Sequence, residues 1–171
     1  MHKRILIRSI LSSLIFLSSL SLYAQNYQLH SVFLYSFTRY VQWPDELNNG
    51  DFDILVLGDS PITPELKKMA DAKKVGDRAI KIYSIKNISE IRKCNILFIP
   101  ADKSKQLADI LSKIGSNSIL VVTEQEGLGV KGSAINFINK EGKLAFEMNH
   151  AALNKQRLKV STELTRLAIV I

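Results

Sequence analysis

The sequence predicts an α/β fold: one compact domain with a mixed, mostly parallel β-sheet of about five to six strands, flanked by helices and carrying a C-terminal antiparallel hairpin. Three observations carry that prediction. Short, nearly continuous apolar runs at Ile54–Leu57, Asn95–Ile99 and Ser118–Thr123 suit strands buried on both faces. Stretches with helical spacing separate them. After Thr123 two strand-like runs follow each other with only a turn between, as in a hairpin. Strands alternating with helices, then a hairpin, give a Rossmann-like sheet covered by helices.

The elements follow in order. Tyr27 to Val41 reads as an amphipathic helix with Leu29, Val32, Phe33, Phe37, Tyr40 and Val41 along one stripe. Leu34, Tyr35 and Thr38 lie off it, either covered by a second layer or exposed to a partner. Trp43-Pro44 ends the helix, because a proline pushes its predecessor out of helical geometry. Asp51 to Asp59 is a buried strand closed by a turn. Thr63-Pro64-Glu65 starts the next helix, with threonine as cap and Leu66, Met69 and Ala70 toward the core. A turn at Gly76-Asp77 leads to a short strand at Ile80–Tyr83. The Asn95–Ile99 strand precedes a helix from Ala101 to Ile114, and Ser118–Thr123 is a fourth strand.

Ala134–Ile138 and Lys143–Met148 are the hairpin arms, joined by Asn139-Lys140-Glu141-Gly142. Asn149 to Gln156 forms a short helix. Ser161 caps a final one, with Glu163 placed to favour its dipole.

The first 24 residues read as a cleaved secretory signal, and 25–171 as the folded domain. His2, Lys3, Arg4 and Arg8 make a positive start, and Ser9 to Tyr23 run largely apolar to a small residue at Ala24. A membrane anchor would need about 20 strongly apolar residues, and Arg8 with the interspersed serines leaves too few. The mature chain is expected to be soluble in the periplasm. Its charge falls from +7 to +4 once Lys3, Arg4 and Arg8 leave, which indicates a solvated surface and gives no reason to expect nucleic acid. Cys94 is the single cysteine, so no intramolecular disulfide can form, and its place at the head of an apolar run suggests an inert core thiol.

Gly127-Leu128-Gly129-Val130-Lys131-Gly132 spells G-x-G-x-x-G, but the dinucleotide fingerprint needs that loop to open a helix. Here a strand follows, and Glu124 and Glu126 precede the loop and would repel phosphate. A glycine-rich turn accounts for it. No nucleophile motif surrounds His30 or His150, and no His/Cys/carboxylate cluster suggests a metal, so neither an enzyme nor a cofactor is expected. Asp59 follows a buried strand at the end where α/β proteins place ligands. With Arg78 it could line a small-molecule pocket, or it could simply cap the strand exit.

Several stretches together resemble one family. Tyr35-Ser36-Phe37-Thr38-Arg39-Tyr40-Val41-Gln42-Trp43-Pro44 resembles the opening segment of YfiR/HmsC-type periplasmic proteins. Leu55-Val56-Leu57-Gly58-Asp59-Ser60-Pro61 is similar to their strand-turn block, and Gly76 with Arg78-Ala79-Ile80 and Cys94 to Ile99 to two others. The glycine loop with Ile135-Asn136-Phe137, then Phe146-Glu147-Met148-Asn149 with Ala151-Ala152, then Leu158 to Ser161 with Leu164 and Leu167-Ala168, complete the series in order.

The resemblance implies a non-catalytic α/β domain that forms a homodimer and restrains an inner-membrane diguanylate cyclase, controlling cyclic di-GMP and biofilm formation. An outer-membrane partner would sequester it. A sensor histidine kinase is the alternative inner-membrane partner, and a soluble small-ligand receptor the alternative function. Many members carry paired cysteines, one aligned with Ile54 to Leu57 and one with Cys94; only Cys94 is present here. Tyr35, Arg39, Trp43, Glu147, Asn149, Ser161 and Arg166 match or neighbour the family blocks and are the candidate contacts, beside Asp59 and Arg78. Trp43, Asn149 and Ser161 also have structural readings, as packing, turn and cap; Arg39 and Arg166 are the natural surface groups.

Overall fold

The computed structural model describes residues 27–171; the expected signal segment and its cleavage point lie outside them. Helix α1 spans 27–40 and runs directly into strand β1 (Val41–Gln42). Strand β2 (Phe52–Leu57) leads to helix α2 (Ile62–Ala72), and strands β3 (Lys74–Val75) and β4 (Arg78–Ile85) follow. Strand β5 (Ile96–Ile99), helix α3 (Leu107–Ile114) and strand β6 (Leu120–Thr123) come next. The hairpin β7 (Ile135–Lys140) and β8 (Lys143–Met148) precedes helix α4 (His150–Lys155), strand β9 (Lys159–Val160), helix α5 (Thr162–Leu167) and strand β10 (Ile169–Val170).

Eight strands form one sheet in the order β10-β8-β7-β6-β5-β2-β4-β3, while β1 and β9 pair separately. The neighbours from β4 to β7 are parallel; β7–β8 and β3–β4 are antiparallel, and β10 joins β8 in parallel. The expected α/β class with its mostly parallel sheet and C-terminal hairpin is therefore what forms. The extra strands are the two-residue edges β3 and β10, too short to show any periodicity.

Alternation along the central strands builds two cores. Ile54 and Val56 of β2, Ile96 and Phe98 of β5, and Leu120 and Val122 of β6 face one side, where Leu34 and Phe37 of α1, Ile62 and Leu66 of α2, Leu153 of α4 and Leu164 of α5 meet them. Leu55, Leu57, Leu97, Ile99 and Val121 face the other side, against Leu107, Ile110 and Ile114 of α3 and Leu128 of the glycine loop. Side chains on successive strand residues point to opposite faces, so an uninterrupted apolar run can serve both.

Four local expectations need correction. In α1 the buried face holds His30, Ser31, Leu34, Phe37 and Thr38, continued by Val41 of β1, whereas Leu29 and Val32 are exposed. Ser31 and Thr38 can be buried because their hydroxyls donate to the carbonyls of Gln28 and Tyr35, each at 2.7 Å. Helix α2 begins at Ile62 behind Pro61, not at a Thr63 cap; Ser60 meets its first turn instead, its carbonyl accepting from Thr63 N at 3.0 Å. Residues Ala101–Gln106 are tight 3₁₀ turns and only Leu107–Ile114 is α-helical. There the Ala101 N–H goes to the Glu124 carboxylate, and Lys103 N bonds back to Pro100 O, one residue nearer than in an α-helix. Strand β4 is eight residues long where Ile80–Tyr83 was expected, because it pairs with β2 over six positions.

The remaining turns and caps form as their chemistry requires. Glu141 and Gly142 both have positive φ, 54° and 78°, at the tip of the β7–β8 hairpin. Asn149 Oδ1 accepts from Ala152 N at 2.9 Å, and Ser161 Oγ from Leu164 N at 3.2 Å, capping α4 and α5.

Candidate functional site

Thr123 closes β6 and Asn136, the second residue of β7, lies beside it in parallel register; Asn136 in turn faces Glu147 across the hairpin. The three side chains form a row on one sheet face. The Thr123 hydroxyl donates to Asn136 Oδ1 at 2.6 Å, and Asn136 Nδ2 donates to Glu147 Oε2 at 2.8 Å. Ser133, fully buried beside them, donates to the carbonyl of Ile135 at 2.7 Å. Thr123 and Asn136 are fully buried as well, so the row is a polar seam inside the fold.

The glycine loop lies over this seam. Gly129 sits so close that a Cβ there would meet Glu147 Oε2 at 2.6 Å and Ile171 Cδ1 at 2.7 Å. Asn149 Nδ2 donates to Gly129 O at 2.9 Å, tying the loop to the start of α4. The loop leads into β7, not into a helix, as expected from its sequence, so it offers no helix end to a pyrophosphate.

One residue beyond Thr123, Glu124 turns to the other side. Its nearly buried carboxylate accepts from Ala101 N at 3.2 Å and from the Tyr27 hydroxyl at 3.3 Å, with His30 Nε2 at 3.8 Å. Burial pushes its pKa up, against the lowering effect of those hydrogen bonds. The group joins α1 to the ends of β5 and β6.

A cavity of about 300 Å³ opens on the loop's far side, between α3, α4 and β6. It exists because β7 begins only opposite Val122, leaving the first half of β6 without a strand there. Helix α4 fills the gap: Gln156 Oε1 accepts from Ile119 N at 3.1 Å, and its Nε2 donates to Gly115 O at 2.7 Å.

The candidate contact residues do not converge on one spot. Glu147 and Asn149 belong to the seam and loop, and Arg166 is exposed on α5. Tyr35 and Arg39 are on α1, where Lys73 lies over the Tyr35 ring and Arg39 over the ring of Tyr40. Trp43 is buried, stacked edge-on against Phe52 at 5.1 Å and donating from Nε1 to Asn95 O at 3.1 Å. Ser161 is the α5 cap.

A pocket shared by Asp59 and Arg78 does not exist. Asp59 follows the C-terminal end of β2, whereas Arg78 opens β4, which runs parallel to β2, and therefore lies at the opposite end of the sheet. Arg78 is occupied there, donating to Gly50 O and Asp51 O, each at 2.8 Å. Beside Asp59 the Lys103 side chain lies against Gly58, where its Cε would meet a Cβ at 2.8 Å.

Thr123, Ser133, Asn136, Glu124 and His30 were not among the candidate contacts. Thr123 and Asn136 had one legible signal: a polar residue flanked by apolar neighbours in a strand. In a sheet covered on one face, that pattern is equally what an outward-facing position shows.

Cys94 is buried, and loss of solvation pushes its thiol up to about 12. Among the described residues no three His, Cys, Asp or Glu gather to hold a metal ion, and no helix is long and apolar enough to cross a membrane. The model of a family described as YfiR/HmsC-like matches residues 27–169. No curated protein matches the chain.

Proposed function

Since the chain belongs to the YfiR/HmsC-like family, we propose that it is a non-enzymatic periplasmic regulator that binds and restrains an inner-membrane signalling protein, a diguanylate cyclase before a histidine kinase. It acts as a homodimer and is released when an outer-membrane partner sequesters it. The restraint is differential affinity: the regulator binds the inactive state of its target more tightly, and only that difference shifts the target's equilibrium.

The observation that carries this reading is a set of exposed apolar side chains on β10 and on the segments beside that edge of the sheet. Leu167 is 66% exposed, Val130 73%, Val170 49% and Ile171 40%, and the Ile171 side chain lies against Gly129, the chain neighbour of Val130. Arg166 is the chain neighbour of Leu167, and Glu147 and Ile171 both lie against Gly129. Exposed large apolar side chains near an open sheet edge, with charged neighbours, are what a protein-binding face offers. Here the occupant is the periplasmic part of the signalling protein.

A photo-crosslinking residue at Leu167 tests it in intact cells, with one at Lys81 on the opposite edge of the sheet as control. Capture of a membrane cyclase or kinase from position 167 and not from 81 supports the proposal. Equal capture from both positions, or none from 167, removes the surface and with it the reading.

A further inference from the structure

The cavity between α3, α4 and β6 is a site of a different kind from the apolar surface at the sheet edge. We propose that it binds a small organic anion of the medium-chain carboxylate class, with the apolar body inside and the carboxylate at Lys131 and Lys155.

The lining dictates that orientation. Leu111, Val121 and Ala134 give an apolar interior, and Ala151 and Ala152 continue it along α4. The polar side chains in the wall are already engaged. Asn149 uses its oxygen on Ala152 N and its nitrogen on Gly129 O; Gln156 uses its oxygen on Ile119 N and its nitrogen on Gly115 O. These amides hold the wall rigid and have few contacts left to offer, so a ligand's interior part gains little from being polar.

Lys131 and Lys155 differ from them. Both are exposed, both line the opening, and neither makes an ion pair among the described residues. No carboxylate lines the cavity. Two cations over an apolar hollow complement one negative head on an apolar body. The volume of about 300 Å³ is at the small end of ligand sites and limits that body to a compact one.

The site is also preformed. Its walls are α3, α4 and β6, and the two side-chain amides pin α4 to the backbone on either side of the opening. A rigid hollow loses little conformational entropy when a ligand enters.

The test is an NMR titration of the purified protein with octanoate, 1-octanol and octylammonium, which share one apolar body and differ in charge. Octanoate is expected to shift amides around α4 and Val121 and to bind about tenfold tighter than octanol, with octylammonium weakest. In K131Q/K155Q the preference for octanoate over octanol should shrink to within about twofold. K155Q alone, away from Val130 and the partner surface, should lose part of it. A151L, which fills the opening with a helix-compatible side chain, should weaken both ligands while leaving the melting temperature in place. Equal affinity for octanoate and octanol, a preference that survives K131Q/K155Q, or shifts mapping to the Leu167 edge would each overturn the proposal. None of these outcomes depends on which membrane protein the regulator binds.

Discussion

Asn136 and Glu147 face each other across the hairpin and are joined by a hydrogen bond of 2.8 Å from Asn136 Nδ2 to Glu147 Oε2. Because Asn136 also accepts from Thr123 at 2.6 Å, one buried amide holds β6, β7 and β8 in register on the face that the glycine loop covers. Asn136→Ala should destabilise the protein by about 2 kcal/mol, the range for stranding buried polar partners. Asn136→Asp should cost more at neutral pH, since it replaces the donor to Glu147 with a second carboxylate. That extra loss should shrink on acidification, as one of the paired carboxylates takes up a proton. Urea midpoints at pH 7 and pH 4.5 for the two variants would show it; an aspartate variant no worse than the alanine at pH 7 would refute the account.

Gly129 needs no left-handed backbone, so any effect of substituting it is steric. Gly129→Ala should cost roughly 1–3 kcal/mol, because its Cβ would displace Glu147 from Asn136 and push Ile171 outward. Glu147→Ala vacates part of that space. The double variant should therefore be less destabilised than the sum of the two singles, by about 0.5 kcal/mol or more. Strict additivity in denaturant unfolding would separate the loop from the seam.

Glu124 gives a pH dependence. Its folded pKa is raised by burial from the ordinary 4.5, so the folded state holds this proton more tightly than the unfolded chain. The burial cost is absent below the ordinary value and grows as pH rises through the folded pKa. Glu124→Gln keeps an acceptor for Ala101 N without the charge. The variant should gain stability relative to wild type between pH 4 and pH 7, with the difference vanishing in acid. Parallel denaturation curves at several pH values would measure it, and a constant difference would reject the assignment.

Cys94 should behave as a core thiol. With its pKa pushed up to about 12 and its side chain buried, it should resist iodoacetamide at pH 8 while the protein is folded and react once urea unfolds it. Cys94→Ala should cost on the order of 1 kcal/mol through the small cavity it leaves. Rapid labelling of the native protein would contradict this placement.

How far the sequence could be read depended on how local each signal was. The hairpin at Glu141-Gly142, the Asn149 and Ser161 caps and the two-faced strands β2, β5 and β6 are all specified by neighbouring residues, and they form where those residues predict. Hydropathy ranks Leu29 and Val32 above Ser31 and Thr38, the reverse of the face that α1 buries. Hydroxyls that bond back to the helix lose most of their polar penalty, and packing of Leu34 and Phe37 against the sheet then chooses the face. The Glu124 contacts, bridging Tyr27 and Ala101 from 97 and 23 positions away, leave no trace in any sequence window.

By itself the sequence determined the fold class, the order of strands and helices, the turn chemistry, the inert setting of Cys94 and a family pattern that the match over residues 27–169 bears out. Each of these rests on periodicity, on backbone preference or on ordered blocks, which travel with the chain. Tertiary structure alone decided that Asp59 and Arg78 stand at opposite ends of the sheet, that Thr123, Asn136 and Glu147 meet under Gly129, and that α4 replaces a missing strand and leaves a cavity. The physical reason is strand direction and register. Two residues near strand ends are neighbours or a sheet's length apart according to which way the strands run and where pairing begins, and both are set by packing across the whole domain.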